Sequence, residues 1–160
     1  MLTHAGQDHG LKVIGGRALN ALRLEKSFGT WAREFRPIYG PIEAGLGRFV
    51  DFTKGDFIGK EAALEERDTG GVRTLVTLSI DTQAHDAIGD EPIFHDGNVV
   101  GWVTSGGYGH TIGTSLAMGY VDNAVAKHTE GFAVELVGKI CPAIRLAEAP
   151  VDPKGSRMRA

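Results

Sequence analysis

Pro92-Ile93-Phe94-His95-Asp96-Gly97-Asn98-Val99-Val100-Gly101-Trp102-Val103 is the stretch whose reading decides the fold. Two runs rich in β-branched and aromatic residues flank Asp96-Gly97, a dipeptide suited to a tight hairpin in which both central residues take positive φ. Working outward, Leu75, Val76, Leu78 and Ile80 predict a strand before this hairpin. Ser115 to Val121, Phe132 to Val137 and Ile140 to Leu146 predict three after it. Roughly five or six short strands with turn residues between them imply a small antiparallel barrel or sandwich. The run Ser105-Gly106-Gly107-Tyr108-Gly109-His110-Thr111 reads as a glycine-rich bend. It opens no helix, so it fails the requirement for a phosphate cradle.

Upstream of Arg73 the texture differs. Gly16 to Ser27 is rich in strong helix formers, with Leu19 and Leu22 beside Ala18 and Ala21 on the side expected to pack. Arg48 to Phe52 alternates like a strand. Phe57 to Arg67 reads as a second helix with Asp56 as N-cap, stopped by Asp68-Thr69-Gly70-Gly71. The expectation is an α+β chain. Residues 1–70 form the mixed helix and strand part, residues 71–149 the antiparallel β-barrel, and residues 150–160 a loose tail.

Composition narrows the function classes. The chain has 160 residues with 17 basic and 20 acidic side chains, a net charge of -3. That balance argues against nucleic acid as a partner, because a phosphate-binding surface needs a basic surplus. No apolar run approaches the roughly 20 residues of a membrane-spanning helix, so no membrane partner is expected. Cys141 is the single cysteine, which excludes an internal disulfide and fits a reducing, cytoplasmic setting. The six histidines show no metal-ligand spacing and read as surface or loop residues, and no metal site is expected.

One charge stands out. Glu25 follows Leu22-Arg23-Leu24 and borders the side of the helix expected to pack. It is either an exposed carboxylate paired with Lys26 or Arg17, or a partly buried one that accepts hydrogen bonds from a ligand's amino and ring N–H groups. Arg73, at the boundary between the two textures, carries the same two readings.

The order of several motifs resembles a known family. Leu22-Arg23-Leu24-Glu25, Pro41-Ile42-Glu43-Ala44-Gly45-Leu46-Gly47 and Asp56-Phe57-Ile58-Gly59-Lys60-Glu61-Ala62 are similar to the glycine cleavage T-protein (aminomethyltransferase) superfamily. Gly101-Trp102-Val103-Thr104-Ser105-Gly106 and Ala117-Met118-Gly119-Tyr120-Val121 continue the pattern in the same order. The segment from Glu25 to Glu34 resembles the dimethylglycine and sarcosine dehydrogenase branch more than the T-protein itself.

The resemblance implies that residues 1–70 are the C-terminal part of a folate-binding domain, followed by the T-protein C-terminal barrel. It implies a one-carbon enzyme that passes a one-carbon unit from a methylated amine to tetrahydrofolate. It also implies folate-binding roles for Glu25, for Arg73 (with Arg67 as the alternative) and for Trp31 as a ring beside the pterin. Glu43 and Gly45 to Gly47 are expected to be structural. No residue matches the family's catalytic aspartate, so the chain is expected to need a missing N-terminal half or a partner subunit. FAD enters only with a separate flavin domain. Gly109-His110 and Thr114 depart from the Ser-Pro and lysine usual in the T-protein. The alternatives are a non-catalytic folate-binding domain, part of a sulfonium demethylase, or a structural and interaction domain. An exposed apolar face on the Gly16 to Ser27 helix would favour the last.

Overall fold

In the computed structural model, which describes residues 1–157 and residue 159, the second half of the chain closes into an antiparallel barrel. Its strands are β1 (Arg73–Ile80), β2 (Pro92–His95), β3 (Asn98–Gly109), β4 (Thr114–Asp122), β5 (Phe132–Leu136) and β6 (Lys139–Leu146). They pair in the order β1-β4-β3-β2-β5-β6, and β6 returns to β1 with Thr77 opposite Leu146. Closure removes the free strand edges that an open sheet would expose.

The hairpin at Asp96-Gly97 forms as its sequence demands, with φ of 47° and 81° and His95 opposite Asn98. In β5, Phe132, Val134 and Leu136 alternate into the core while Ala133 and Glu135 do not, the period of a strand with one buried face. In β4 every residue from Ser115 to Val121 is buried. Ala117 and Val121 join the barrel interior with Leu78, Ile80, Ile93, Val103 and Val134, whereas Leu116 and Met118 join Leu24 in a second cluster. Both faces of β4 are therefore covered. Fully burying side chains of this size stabilises by roughly 1.5–3 kcal/mol each.

The first half holds three α-helices among the described residues: α1 (Leu2–Ala5), α2 (Gly16–Glu25) and α3 (Lys60–Thr69). α2 ends where Ser27 takes φ 52°, and the Ser27 N–H closes on Leu24 O. Its packing side differs from the expected one. Leu19 and Leu22 are 58% and 52% exposed, and the buried residues are Leu24 and Glu25. Asn20 faces the barrel as well, donating from Nδ2 to Gly106 O. Positions 20, 21, 24 and 25 form one helical stripe, and the barrel offers polar partners to two of them. The helix orientation thus follows hydrogen-bond partners that periodicity does not reveal.

Three further expectations are corrected. Residues 48–52 form no strand: Gly47–Phe49 is a short 3-10 turn, and the closed barrel leaves no edge for another strand to join. α3 starts at Lys60 instead of Phe57, because Gly59 takes the left-handed conformation at φ 83°. Asp56 still accepts the Phe57 N–H at 3.0 Å, but outside the helix. The glycine-rich run bends only at its end, since residues 105–109 continue β3 and the turn lies at 110–113, closed by Gly113 N–H to Gly109 O.

The stretch from 150 onward was expected to be loose, yet over its described part it makes specific contacts. Val151 N–H donates to Glu25 O, and Lys26 Nζ donates to the backbone and side chain of Asp152. Asp152 in turn accepts the backbone N–H groups of Ser156 and Arg157. Met158 and Ala160 of the expected tail lie outside the described residues.

Candidate functional site

Two buried carboxylates sit where the end of α2 and the following loop meet the barrel. Glu25 is 3% exposed. Its Oε1 accepts the Thr111 N–H and its Oε2 the Thr111 hydroxyl, each at 2.6 Å, so one residue of the β3–β4 turn grips both oxygens. Neither Lys26 nor Arg17 pairs with Glu25: the exposed-pair reading is replaced by a buried, hydrogen-bonded carboxylate, and Lys26 pairs with Asp152.

Glu34 is the second, 0% exposed, and sequence reasoning did not single it out. Its Oε1 accepts the Thr104 hydroxyl at 2.7 Å and the Ser105 hydroxyl. Its Oε2 accepts the Thr30 N–H at 2.7 Å, the Thr30 hydroxyl at 3.1 Å and Arg23 Nη1 at 3.3 Å. Burial alone would raise its pKa, but the hydrogen bonds from Ser105, Thr30 and Thr104, with the charge of Arg23, outweigh it and hold Glu34 below the ordinary glutamate range. Burial also lowers the pKa of Arg23, against the raising effect of Glu34. The Tyr120 hydroxyl donates to Glu34 O at 2.8 Å, and burial raises its own pKa strongly. Tyr120 stacks on Tyr39 with ring centroids 3.6 Å apart. The Thr-Ser pair at 104–105 carried the only sequence signal, as hydroxyls inside an otherwise apolar strand.

None of the other expected site residues is among the hydrogen-bond partners of the Glu25 carboxylate, which are both on Thr111. Arg73 lies at the start of β1 with its guanidinium 4.1 Å from the Trp102 ring centroid and Nε 3.9 Å from Asp122 Oδ1. Arg67 pairs with Asp68 and lies over Phe52. Trp31 is 79% exposed. Glu43 is structural as expected: Oε1 accepts the Val72 and Arg73 N–H groups, tying the loop to the first turn of β1.

Histidines give one correction. His95 is buried, and its Nε2 lies 3.0 Å from His128 Nδ1, a pairing brought about by the barrel across 33 residues. No group of three residues able to hold a metal ion is found among the described residues.

Comparison with known proteins agrees with this architecture. The glycine cleavage T-protein C-terminal barrel domain matches residues 73–152, and the GCVT N-terminal domain matches residues 1–54. This chain belongs to the glycine cleavage T-protein family. Human mitochondrial dimethylglycine dehydrogenase is 41% identical over 99% of the chain, which spans 18% of that protein. Synechocystis aminomethyltransferase is 37% identical over 81% of the chain and 35% of its own length. The aminomethyltransferase T crystal structure from Bartonella henselae superposes with a TM-score of 0.78 at 32% identity, covering 91% of this chain and 41% of that one. The expected likeness to the dimethylglycine and sarcosine dehydrogenase branch is borne out, with mouse sarcosine dehydrogenase 32% identical over 97% of the chain. The T-protein family fold and the α+β expectation with its terminal barrel agree.

Proposed function

We propose that this chain is the tetrahydrofolate-side, C-terminal portion of a one-carbon enzyme that passes a one-carbon unit from a methylated amine to tetrahydrofolate. The observation that carries the reading is family similarity across the whole chain together with a buried carboxylate at the end of the Leu22-Arg23-Leu24-Glu25 helix. In this reading the chain binds and orients the acceptor, and the catalytic residues come from a region of the kind its longer relatives carry beyond the matched part, or from a partner subunit. FAD enters only through a separate flavin domain. The cytoplasmic setting is likewise a proposal, resting on the single unpaired cysteine.

The residues fit tetrahydrofolate in a restricted way. Tetrahydrofolate supplies the nitrogen atoms that take up the one-carbon unit. A carboxylate offers about four acceptor sites, and Thr111 uses one on each oxygen of Glu25, so two remain for pterin N–H donors. Thr111 would then act as a positioning residue that fixes the orientation of Glu25. With Glu25 only 3% exposed, a ligand reaches it by displacing a neighbour. In this reading Trp31, held out in solvent, covers a flat heterocycle, and Arg73, stacked on Trp102, is proposed to lie near the folate.

A calorimetric titration with tetrahydrofolate tests this, using the unmodified chain beside Glu25→Ala and Glu25→Gln. Saturable binding that Glu25→Ala weakens by about 2 kcal/mol is the expected result for a charge-assisted contact. No binding by a chain whose circular dichroism shows it folded would refute the reading for this chain.

One observation favours a second reading, a structural and interaction domain. Leu19, Leu22, Phe28 and Trp31 are exposed on and after α2, large apolar groups without cover among the described residues. Self-association that Leu22→Lys abolishes, without folate binding, would support that alternative.

A further inference from the structure

One close pair of titratable groups plays no part in the folate reading. His95 ends β2, and His128 lies in the loop between β4 and β5. His95 Nε2 is 3.0 Å from His128 Nδ1, with ring centroids 4.8 Å apart and the rings tilted by 40°. His95 is buried, its ring in an edge contact with Phe132, whereas His128 is exposed.

Backbone bonds hold the segments that carry both rings. The His128 N–H donates to Val125 O, the Arg145 N–H of β6 to Thr129 O, and the Asp96 N–H to Gly131 O. Asp96 Oδ2 lies 3.4 Å from His95 Nδ1, so its charge favours a proton on that nitrogen and leaves the Nε2 lone pair to face His128. Residue 131 is a glycine at φ 84°, and a Cβ there would stand 3.1 Å from His95 Nε2 and 2.9 Å from Asp96 Oδ1. Glycine thus keeps the space beside Nε2 open.

We propose that His95 Nε2 and His128 Nδ1 together bind a divalent transition-metal ion of the nickel or copper type, with water in the remaining positions. This site is independent of the folate reading. Imidazole nitrogens suit such ions. With metal–imidazole bonds of about 2.0–2.1 Å, nitrogens 3.0 Å apart subtend roughly 95° at the metal, near the right angle of tetragonal nickel or copper and short of the tetrahedral angle of zinc. Asp96 stands behind His95 as the carboxylate that metal-bound imidazoles commonly lean on, which fixes the tautomer and raises the donor strength of the ring. On binding, the proton between the rings moves by way of solvent from His128 Nδ1 to Nε2 of the same ring, so both imidazoles stay neutral. No third carboxylate, histidine or cysteine completes a set of three among the described residues, so water does. The ion acts as a clasp between β2 and the β4–β5 loop, joining side chains 33 residues apart.

The test titrates the whole 15N-labelled chain with nickel chloride and follows heat, amide resonances and melting temperature. Nickel should broaden the amides of His95, Asp96, His128 and Gly131 at the lowest ratios, and it should raise the melting temperature because it binds the folded chain alone. Asp96→Asn should weaken binding about tenfold, the lower end for an outer carboxylate, since Asp96 is exposed. The hairpin survives that change, because Asn-Gly favours the same turn. His128→Ala, at an exposed position, removes a ligand outright and should abolish both the broadening at these amides and the melting shift. Magnesium chloride should have no effect, because magnesium prefers oxygen donors. Broadening confined to His4, His9, His85 or His110 overturns the proposal. An affinity unchanged in either variant, or an equal response to magnesium, overturns it as well.

Discussion

Replacing Glu34 with alanine removes the carboxylate on which the loop after α2, the helix itself and strand β3 converge. The structure sets the size of the effect. Five donor groups lose an acceptor: the hydroxyls of Thr30, Thr104 and Ser105, the Thr30 N–H and Arg23 Nη1. Some find relief, since Thr104 also donates to Met118 O and Arg23 also binds Asn20 Oδ1 and Phe28 O. The Thr30 N–H and the Arg23 charge lose most. Removing one partner of a buried pair costs about 3–5 kcal/mol, a large part of the roughly 5–15 kcal/mol that holds a domain folded. Urea unfolding followed by circular dichroism should show a lower midpoint at an unchanged slope. The sign of the pH dependence follows from the lowered pKa of Glu34. Its contribution is complete above the ordinary value of about 4.3 and is lost as pH falls through the lower folded value. Glu34→Gln should flatten that acid limb. A loss below about 1 kcal/mol in Glu34→Ala, with an unchanged acid limb in Glu34→Gln, would refute the hub.

Two further substitutions probe the frame around it. Gly101→Ala places a Cβ 1.9 Å from Tyr120 O, a backbone atom of the paired strand, and should cost about 3 kcal/mol and lower the melting temperature by roughly 6–12 °C. A melting temperature within about 2 °C of the parent would show that β3 and β4 part more easily than described. Thr111→Val keeps the N–H bond to Glu25 but deletes the 2.6 Å hydroxyl bond, and a loss of about 1.5 kcal/mol in thermal melts is expected. The Thr111 amide should stay protected from hydrogen exchange, and rapid exchange would contradict a grip by both groups.

Local chemistry made much of the barrel legible. Asp96-Gly97 announces its hairpin because positive φ is a property of the residues themselves. The six strands are visible because β-branched and aromatic runs end at turn residues. The motifs at Gly101 to Gly106 and Ala117 to Val121 mark the closest approach of β3 and β4, where Gly101 and Gly119 leave no room for a side chain. Where local preference needed a partner, the reading failed. Val50 and Phe52 alternate like a strand, but pairing requires an edge, and a closed barrel has none. The start of α3 moved because the left-handed turn at Gly59 outweighs the capping pattern at Asp56.

The site divides along the same line. Glu25 stood out as a charge on an apolar helix, and its burial is real, but its partner Thr111 lies 86 residues away. Glu34 gave no such signal, since its neighbours Arg33 and Phe35 make it look like an ordinary loop carboxylate. Thr30 is a local partner four residues before it, but only the fold brings Thr104, Ser105 and Arg23 to it.

By itself, the sequence determined the strands, the hairpin, the family and the likeness to its dehydrogenase branch, because turn geometry, periodicity and ordered motifs are written residue by residue. Tertiary structure alone decided which face of α2 is buried, which carboxylate gathers the donors, and that two histidines 33 residues apart meet. The physical reason is that a buried polar group is tolerated only when partners meet it, and the distances that permit such meetings exist only after the chain has folded.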